Sequence, residues 1–531
     1  MSAIFSRRRI VTLGTAAASG AALPLAGPAA QALANPARPA AAANHATALD
    51  DIFDIRSFGA KGDGVTIDTD AINAAIAAAS ANNGGTVYFP AGTYASFSIH
   101  LASNVALFLA EGATILAATP TATQGYDPPE QPGAGNNYQD FGHSHWHNSL
   151  LWGVGLSNVT VYGPGMIDGK GLITGGSNES VSGQGNKIFA LKQCTNVLIK
   201  DITMYRGGHF CILPTGVNNF RMDGLVIDTN RDGIDIDCCK NVRLQNSTVN
   251  SPNDDAIVLK SSFALDQAIA TENVTIDNCM VSGYSLGTVL DGTYQGGSYG
   301  ATGRIKFGTE SNGGFKNIAI SNILFDHCRG LALETVDGGL LQDVTISNIT
   351  MRSVQTPIFL RLGARMRGPS TLTIGSLQRV SIGNVSIIDA DPRYPSTISG
   401  IPGHLIEDVR IGNVRQYLVG GLTPADANQN PPELVNGYPE NYMFGTLPAY
   451  GFYIRHAENI ELNDVAVHFE QNDTRPAFVL NDVTTADFHH VTADKAQGAA
   501  TYDLTEVNDF TVTDNRPVKD THIDHVTHTD L

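Results

Sequence analysis

A short strand-like motif recurs through the middle of this 531-residue chain and constrains its fold more than any other feature. In each copy a polar residue, often asparagine, is followed by alternating apolar side chains. The copies begin NVTV at Asn158, NVLI at Asn196, NFRM at Asn219, NVRL at Asn241, NVTI at Asn273, NIAI at Asn317, DVTI at Asp343, RVSI at Arg379, DVRI at Asp408 and NIEL at Asn459. The shortest steps between copies are 22 to 26 residues, and a period of that length is typical of a solenoid.

The solenoid predicted is a parallel β-helix rather than a leucine-rich repeat. The LxxLxL framework is missing, and Val, Ile and Thr dominate the repeated strands. Asparagines at the same turn of successive coils are expected to form an internal ladder of hydrogen-bonded amides. We therefore predict an all-β, single-domain chain of about ten or more coils over residues 51–515. A polar tail is expected at 516–531, and helical spacing over Asp68–Ser80 predicts a short N-terminal capping helix.

The N-terminus carries an export pattern. SRRRIVTLG at Ser6–Gly14 is a twin-arginine motif, and an Ala-rich stretch ending in Ala32-Leu33-Ala34 follows it. We predict a signal peptide over residues 1–34, a disordered leader over 35–50, and a secreted or periplasmic protein. No later segment is apolar for long enough to span a membrane, so no membrane association is expected after cleavage.

Charge and cysteine content limit the partners. The formal net charge is −18, and removal of the signal would make it more negative, which argues against a nucleic-acid partner. The six cysteines stand in or beside apolar strands, a setting that favours buried free thiols over disulfides. No cofactor or metal is predicted, and the expected protein is a monomer.

Acidic residues cluster in the stretch NRDGIDIDCCKNVRLQNSTVNSPNDDAIVLKSS. Asp232 and Asp254 are 22 residues apart, so a coil of that length would place them on neighbouring strands, roughly 4.8 Å apart. Asp255 adjoins Asp254, and the three carboxyls would be crowded into one site. Crowding raises the pKa of at least one of them, and a protonated acid beside an ionised base is what glycosidic bond hydrolysis needs.

Several motifs carry a family resemblance. They are KGDG at Lys61–Gly64, IDGKG at Ile167–Gly171, NRDGIDID at Asn230–Asp237, NDDAIVLKS at Asn253–Ser261 and SGY at Ser282–Tyr284. In this order the chain resembles glycoside hydrolase family 28, the polygalacturonases and rhamnogalacturonases, within the wider pectate-lyase-like superfamily. The resemblance covers most of residues 51–495. It implies a right-handed parallel β-helix and inverting hydrolysis of an α-linked sugar, commonly in pectin.

The resemblance also implies roles. Asp232 matches the aspartate of the family's Asn-Thr-Asp motif, and Asp254 and Asp255 match its Gly-Asp-Asp pair. Asp254 would protonate the leaving oxygen, while Asp232 and Asp255 would hold and activate the water. Lys260 is placed to lower the pKa of one carboxyl, and Asp235 is expected near the site.

Two departures from the family bear on the substrate. The histidine of the family's Gly-His-Gly motif is matched here by Tyr284. The family's Arg-Ile-Lys clamp, which grips a galacturonate carboxylate, matches Arg304-Ile305-Lys306 by letters, or Ala332-Leu333-Glu334 by register. If the second match holds, Glu334 replaces the clamp lysine, repels a uronate and favours a neutral sugar such as rhamnose. If the first holds, the clamp survives.

Other residues are weaker candidates for sugar contact. In HSHWH (His143–His147), His145 and Trp146 are expected to form a wall of the cleft, with the indole stacking on a pyranose, although three alternate histidines can also bind a metal. Arg361 is a candidate for gripping a carboxylate at a distal subsite. Tyr294 and Tyr299, in a loop beside the predicted site, are as consistent with a surface loop as with sugar binding.

The sequence thus predicts a secreted inverting glycoside hydrolase. It would cleave α-glycosidic bonds in a pectic or related plant polysaccharide, of rhamnogalacturonan or galacturonan type, with exo action as one form. Two alternatives remain open: a Ca²⁺-dependent polysaccharide lyase on the same fold, and a non-catalytic carbohydrate-binding β-helix.

Overall fold

Short parallel strands make up most of the structure, a computed structural model that describes residues 51–175, 183–296 and 300–531. The predicted signal peptide, the leader and Tyr299 lie outside the described residues. One α-helix, α1, spans Thr69–Ala81, and single 3₁₀ turns span Ile55–Phe58, Ala134–Tyr138 and Pro424–Asp426. Within the described part of the chain, no helix is long and apolar enough to cross a bilayer.

The strands are numbered in chain order. Those before residue 262 are β1 Ile52–Asp54, β2 Asp63–Ile67, β3 Gly85–Phe89, β4 Gly92–Ser96, β5 Ile99–His100, β6 Val105–Leu109, β7 Ala113–Ala117, β8 Leu151–Val154, β9 Ser157–Tyr162, β10 Met166–Asp168, β11 Lys187–Lys192, β12 Thr195–Lys200, β13 Thr203–Tyr205, β14 Phe210–Thr215, β15 Asn218–Asp223, β16 Val226–Asp228, β17 Asp232–Asp237, β18 Lys240–Gln245, β19 Thr248–Asn250 and β20 Ile257–Ser261. Those that follow are β21 Thr271–Ser282, β22 Ile305–Ser311, β23 Phe315–Asp326, β24 Gly330–Thr335, β25 Leu340–Arg352, β26 Thr356–Leu362, β27 Ser376–Ala390, β28 Ser396–Ser399, β29 Ile406–Gly420, β30 Phe452–Gln471, β31 Phe478–His489, β32 Thr492–Ala493, β33 Tyr502–Thr513 and β34 Thr521–Asp530.

Successive coils stack in register, with every third strand paired up to β20 and every second strand paired from β20 to β30. One face runs β8–β11–β14–β17–β20 and continues through β22, β24, β26, β28, β30 and β31 to β33, all parallel. The other two faces are separate short strands in the early coils. From β21 onward they merge, since this long strand pairs with both β18 and β19. The prediction of an all-β parallel β-helix with ten or more coils is confirmed.

Asparagine ladders fix one corner of the stack. Asn158, Asn196 and Asn219 all adopt the left-handed backbone conformation, with φ near 58°, which asparagine tolerates better than other non-glycine residues. Their amides bond from coil to coil, Asn196 to Asn158 at 3.0 Å and Asn219 to Asn196 at 2.7 Å. The predicted ladder is therefore present. It lies on the surface and not inside, because the left-handed turn directs each amide outward while the following valine or isoleucine fills the core.

Apolar side chains fill the interior along the whole stack. Repeated Val, Ile, Leu and Phe residues from each coil form one continuous core. All six cysteines are buried and unpaired within the described residues, as their apolar settings predicted.

Helix α1 packs against the first strands. Ile72, Ala75, Ile76 and Ala79 form its buried face, as the helical spacing predicted. The Asp68 carboxylate does not cap the helix. It accepts hydrogen bonds from the backbone N–H groups of Lys61 and Gly62 at 2.7 and 3.0 Å, tying the KGDG turn to the helix start.

The polar segment at 516–531 corrects one boundary. It was predicted as a tail outside the β-helix, but Thr521–Asp530 forms β34, which pairs antiparallel with β33. Ile523 and Val526 face the core, while polar residues occupy the other side of the strand. The two apolar side chains are too widely spaced for their pattern to be recognised in sequence.

Candidate active site

Three carboxylates meet where β17 and β20 begin. The strands pair with Ile234 opposite Ile257, a step of 23 residues rather than the expected 22. Asp255 therefore stacks on Asp232, and its backbone N–H points to the Asp232 carboxylate at 3.3 Å. The same N–H donates to the carboxylate of Asp254 in the adjoining turn, at 3.1 Å. The structure brings all three residues to one cleft, although the neighbour of Asp232 in the next coil is Asp255.

Asp255 is surrounded by cations. Arg304 donates to it through Nε at 2.6 Å, and Lys306 Nζ lies 3.5 Å away. Burial by itself would raise the pKa of Asp255, but the two cations outweigh burial and lower the pKa to about 2. Asp255 is therefore ionised throughout the physiological range.

Asp232 has the opposite environment. Its carboxyl is buried and faces the acids Asp235 and Asp254, so burial and like charge raise its pKa well above the usual value. Asp235 lies beneath it, fully buried, 2.9 Å from Lys260. Burial raises the pKa of Asp235 to about 7, although Lys260 opposes the shift. A proton held by Asp232 thus lies next to an ionised Asp255.

Asp254 is the most exposed of the three and has its own cation. Arg231 Nη2 contacts its carboxylate at 2.6 Å, and both side chains remain about one quarter exposed. The same guanidinium donates to His209 Nε2 at 3.4 Å. Neither Arg231 nor His209 was predicted as a site residue. Arg231 occupies the threonine position of the family's Asn-Thr-Asp motif, and that departure was the available signal.

The two possible clamp segments occupy successive coils. Arg304 immediately precedes β22, and Lys306, its second residue, pairs in register with Ala332 of β24. Glu334, two residues further along β24, is completely buried and lies 3.7 Å from Lys306. Burial raises the pKa of Glu334 to about 7, with Lys306 opposing. Lys306 therefore has two protein carboxylates as partners, Asp255 and Glu334.

A segment distant in sequence completes the wall. It lies between β29 and β30, where Glu440 accepts from Arg304 at 3.0 and 3.1 Å and from Arg329 at 3.1 Å. Tyr438 shares a 2.9 Å hydrogen bond with Thr309 and lies over Lys306. Neither Glu440 nor Tyr438 was predicted as a site residue.

Family models match the regions that build this site. Residues 134–389 match the model of glycosyl hydrolases family 28, and residues 52–212 match the model described as rhamnogalacturonase A/epimerase, pectate lyase-like. The centre of the chain is a family 28 region.

Relatives of known name agree with this family. A probable polygalacturonase from Vitis vinifera is 25% identical over 319 residues, which is 56% of this chain and 60% of the relative. An exo-poly-α-D-galacturonosidase from Dickeya chrysanthemi is 34% identical over 132 residues, 24% of this chain and 20% of the relative. The chain thus spans less than two thirds of either relative. The family 28 exopolygalacturonase of Yersinia enterocolitica has the same fold, with a TM-score of 0.60 and 20% identity over 82% of this chain and 78% of that one.

Four residues that were predicted to contact sugar lie away from the three carboxylates: His145, Trp146, Tyr284 and Arg361. Trp146 is buried, with Nε1 donating to Thr215 at 3.1 Å and Lys192 over its ring, so it has no open face for a sugar. Its neighbour His145 is buried as well. Tyr284 is buried, with its ring against those of His327 and Tyr294. Tyr294 itself is exposed.

Arg361 is an internal anchor of the family 28 region. Its guanidinium donates to Ser399 Oγ at 2.8 Å and to the carbonyl of Gly400 at 2.9 Å. The carbonyls of Glu433 and Leu434 accept two further hydrogen bonds, at 2.9 and 3.1 Å. The predicted distal carboxylate subsite at Arg361 is therefore not available, because protein carbonyls already use its donors.

The remaining cleft residues come from the segment before β8 and from β14 and β22. They are Asp140, Phe141, His143, His209, Phe210, Thr309 and Glu310. His143, from the HSHWH segment, lines the cleft and lies 3.5 Å from Asp237. Glu310 lies 3.6 Å from Lys260. Burial would raise the pKa of Glu310, but Lys260 and Arg365 hold it low.

One group of side chains in the cleft has donors suited to a divalent cation. Ligand atoms of His209, Asp232 and Asp254 lie within 4.8 Å of one another. Carboxylate and imidazole donors suit a transition metal better than calcium, which prefers oxygen ligands alone. Arg231 is already bound to Asp254 and His209, so a cation there would have to displace its guanidinium.

Proposed function

We propose that this protein is a secreted inverting glycoside hydrolase that cleaves α-glycosidic bonds in a pectic polysaccharide of rhamnogalacturonan type. The observation that carries the proposal is the gathering of Asp232, Asp254 and Asp255 in one cleft, where neighbouring groups raise the pKa of Asp232 and lower that of Asp255. The match of residues 134–389 to the family 28 model and the similarity to a probable polygalacturonase support the reaction class. Secretion rests on the twin-arginine pattern at Ser6–Gly14.

The proposed reaction uses the carboxylates in distinct roles. Asp254 gives a proton to the glycosidic oxygen as the bond to the anomeric carbon breaks. A water attacks that carbon from the opposite face, and its proton passes to Asp255, which Arg304 and Lys306 keep ionised. Asp232 lies beside Asp255 and orients the water. The products are two saturated sugars, and no cofactor takes part.

The pairing of Lys306 with two carboxylates favours a neutral sugar beside Asp255. Lys306 has Asp255 and Glu334 as partners, so a uronate at this position would meet a cation whose charge is already balanced. A neutral deoxyhexose such as rhamnose meets no such cost. We also propose exo action, which the similarity to the exo-poly-α-D-galacturonosidase of Dickeya chrysanthemi supports.

Product analysis on rhamnogalacturonan and polygalacturonan, with and without EDTA, tests the proposal. Saturated reducing ends that persist in EDTA are expected, with rhamnogalacturonan the better substrate. Unsaturated, ultraviolet-absorbing products that disappear with EDTA would instead identify a lyase that uses a cation at His209, Asp232 and Asp254. Binding without turnover of either polymer would identify a carbohydrate-binding protein.

Glu334→Gln is expected to increase kcat/KM on polygalacturonan by about 10-fold, since one charge-assisted contact is worth about 1.4 kcal/mol or more. The substitution removes the buried negative charge and leaves Lys306 able to bind a uronate carboxylate. Initial rates on both polymers measure the effect. Glu433→Gln, which makes the same change at a partly exposed residue beside Arg455, serves as the control.

The same residue predicts a pH effect in the wild type. Because the pKa of Glu334 is raised to about 7, its carboxyl takes up a proton as the pH falls through 7 and releases Lys306. The ratio of polygalacturonan to rhamnogalacturonan rates should therefore rise below pH 7 in the wild type and stay flat in Glu334→Gln. A ratio that responds to pH equally in both proteins would contradict a role for Glu334 in specificity.

A further inference from the structure

We propose that Arg231 recognises a carboxylate on the substrate and, in doing so, exchanges its contact with Asp254 for a contact with the sugar. The proposal rests on the hydrolase function above and extends it, because it assigns a residue that binds a uronate in the same cleft.

Arg231 differs from three other cations near the carboxylates, Arg304, Lys306 and Lys260. The side chains of Arg304 and Lys306 are 2% exposed, and that of Lys260 is 12% exposed; each of the three has two protein carboxylates as partners. Arg231 is 28% exposed and contacts one carboxylate, that of Asp254. It is therefore the cation of this group that an entering anion can reach without breaking a buried pair.

The donors of Arg231 are incompletely used. Its Nη2 makes the contacts to both Asp254 and His209, and within the described residues its buried Nε has no hydrogen-bond partner. A guanidinium binds a carboxylate best through two parallel N–H donors. The present contact with Asp254 uses a single nitrogen of the guanidinium, Nη2, so it is not the two-donor mode that binds a carboxylate best.

His209 provides a neutral second partner that keeps Arg231 in the cleft. Its Nδ1 lies 3.0 Å from the carbonyl of Thr174, which can only accept, so Nδ1 carries the proton and Nε2 faces Arg231 with its lone pair. Burial and Arg231 lower the pKa of His209 to about 3, which keeps the ring neutral. Arg231 can thus leave Asp254 while retaining His209, whose imidazole stacks on the Phe141 ring.

This assignment yields an alternating substrate. The position beside Lys306 and Glu334 suits a neutral sugar, and the position reached by Arg231 suits an acidic one. A backbone in which neutral and acidic sugars alternate satisfies both positions at once, whereas a uniform polyuronate satisfies only the second.

The test measures oligosaccharide binding separately from turnover. Arg231→Gln is placed in an Asp255→Asn background, which prevents hydrolysis. Calorimetry is carried out with a rhamnogalacturonan hexasaccharide and with the same oligomer methyl-esterified at its carboxyls. Arg231→Gln should weaken binding of the acidic oligomer by about 10- to 100-fold, as expected for one lost charge-assisted contact, and leave binding of the ester within about 2-fold. Arg221→Gln, on the exposed face of β15, is the matched control.

Turnover adds a second readout that a merely structural role would not change. With Asp255 intact, Arg231→Gln should raise KM for rhamnogalacturonan by about 10-fold or more and leave kcat within about 2-fold, because Arg231 binds the substrate and takes no part in the proton transfers. Equal weakening of both oligomers, or a lowered kcat at unchanged KM, overturns the role of Arg231 while the hydrolase function stands. Failure of the parent to bind either oligomer overturns the pectic function and this proposal together.

Discussion

Replacing Asp254 with asparagine is expected to lower kcat by about 10²- to 10⁴-fold, the range for loss of a general acid. Asparagine keeps the shape of the side chain but has no proton to give to the leaving oxygen. The substitution removes one partner of Arg231, which is partly exposed, so little folding energy is lost. Reducing-sugar release gives kcat, and the melting temperature should stay within about 2 °C of the wild type.

Two comparisons test whether the lower kcat of Asp254→Asn comes from the loss of the general acid. Asp487→Asn, an equivalent change at an exposed residue of β31, should leave kcat unchanged. A substrate with an activated phenolic leaving group needs little protonation, so it should recover much of the lost rate in Asp254→Asn. Undiminished turnover of the natural polymer would remove Asp254 from the role of acid.

Replacing Arg304 with methionine is expected to lower the free energy of unfolding by about 3–5 kcal/mol, the cost of leaving buried charges without their partner. Arg304 is 2% exposed and contacts both Asp255 and Glu440. Urea unfolding at neutral pH measures the loss. Arg379→Met, which breaks the largely exposed pair with Asp343, is the control and should cost less than about 1 kcal/mol.

Arg304→Met should also change the pH dependence. The folded-state pKa of Asp255 is about 2, below the roughly 3.9 of an unfolded aspartate. The wild type therefore has the full stabilising contribution above about pH 4 and loses it as the pH falls toward 2. In Arg304→Met this contribution is smaller, and the acidic limb of kcat/KM moves to higher pH. An acidic limb at the wild-type position would show that Asp255 is not the titrating base.

The fold and the three carboxylates could be predicted because both depend on repetition. The β-branched motif reports the coil length directly, and that length places Asp232 near Asp254 and Asp255. The predicted neighbour of Asp232 was one residue off because this coil is 23 residues long, with Ile234 paired to Ile257. That length places Asp255, and not Asp254, opposite Asp232.

The remainder of the site depends on contacts that no periodicity reports. Glu440 reaches Arg304 across 136 residues of sequence, from a segment without repeat character. Trp146 and Arg361 have the residue types of sugar-binding sites, but both are buried, and type alone does not indicate exposure. Arg231 was visible as a departure from the family motif, and its meaning depended on the distance to Asp254.

The antiparallel pairing of β34 has a consequence for assembly. A parallel stack could add further strands at its last edge, and β33 left bare would offer that edge to a second chain. β34 covers it and presents instead a strand rich in aspartate, histidine and threonine. Charged side chains on an edge strand discourage pairing between copies. We therefore expect β34 to hinder end-to-end pairing of copies of this β-helix into fibres.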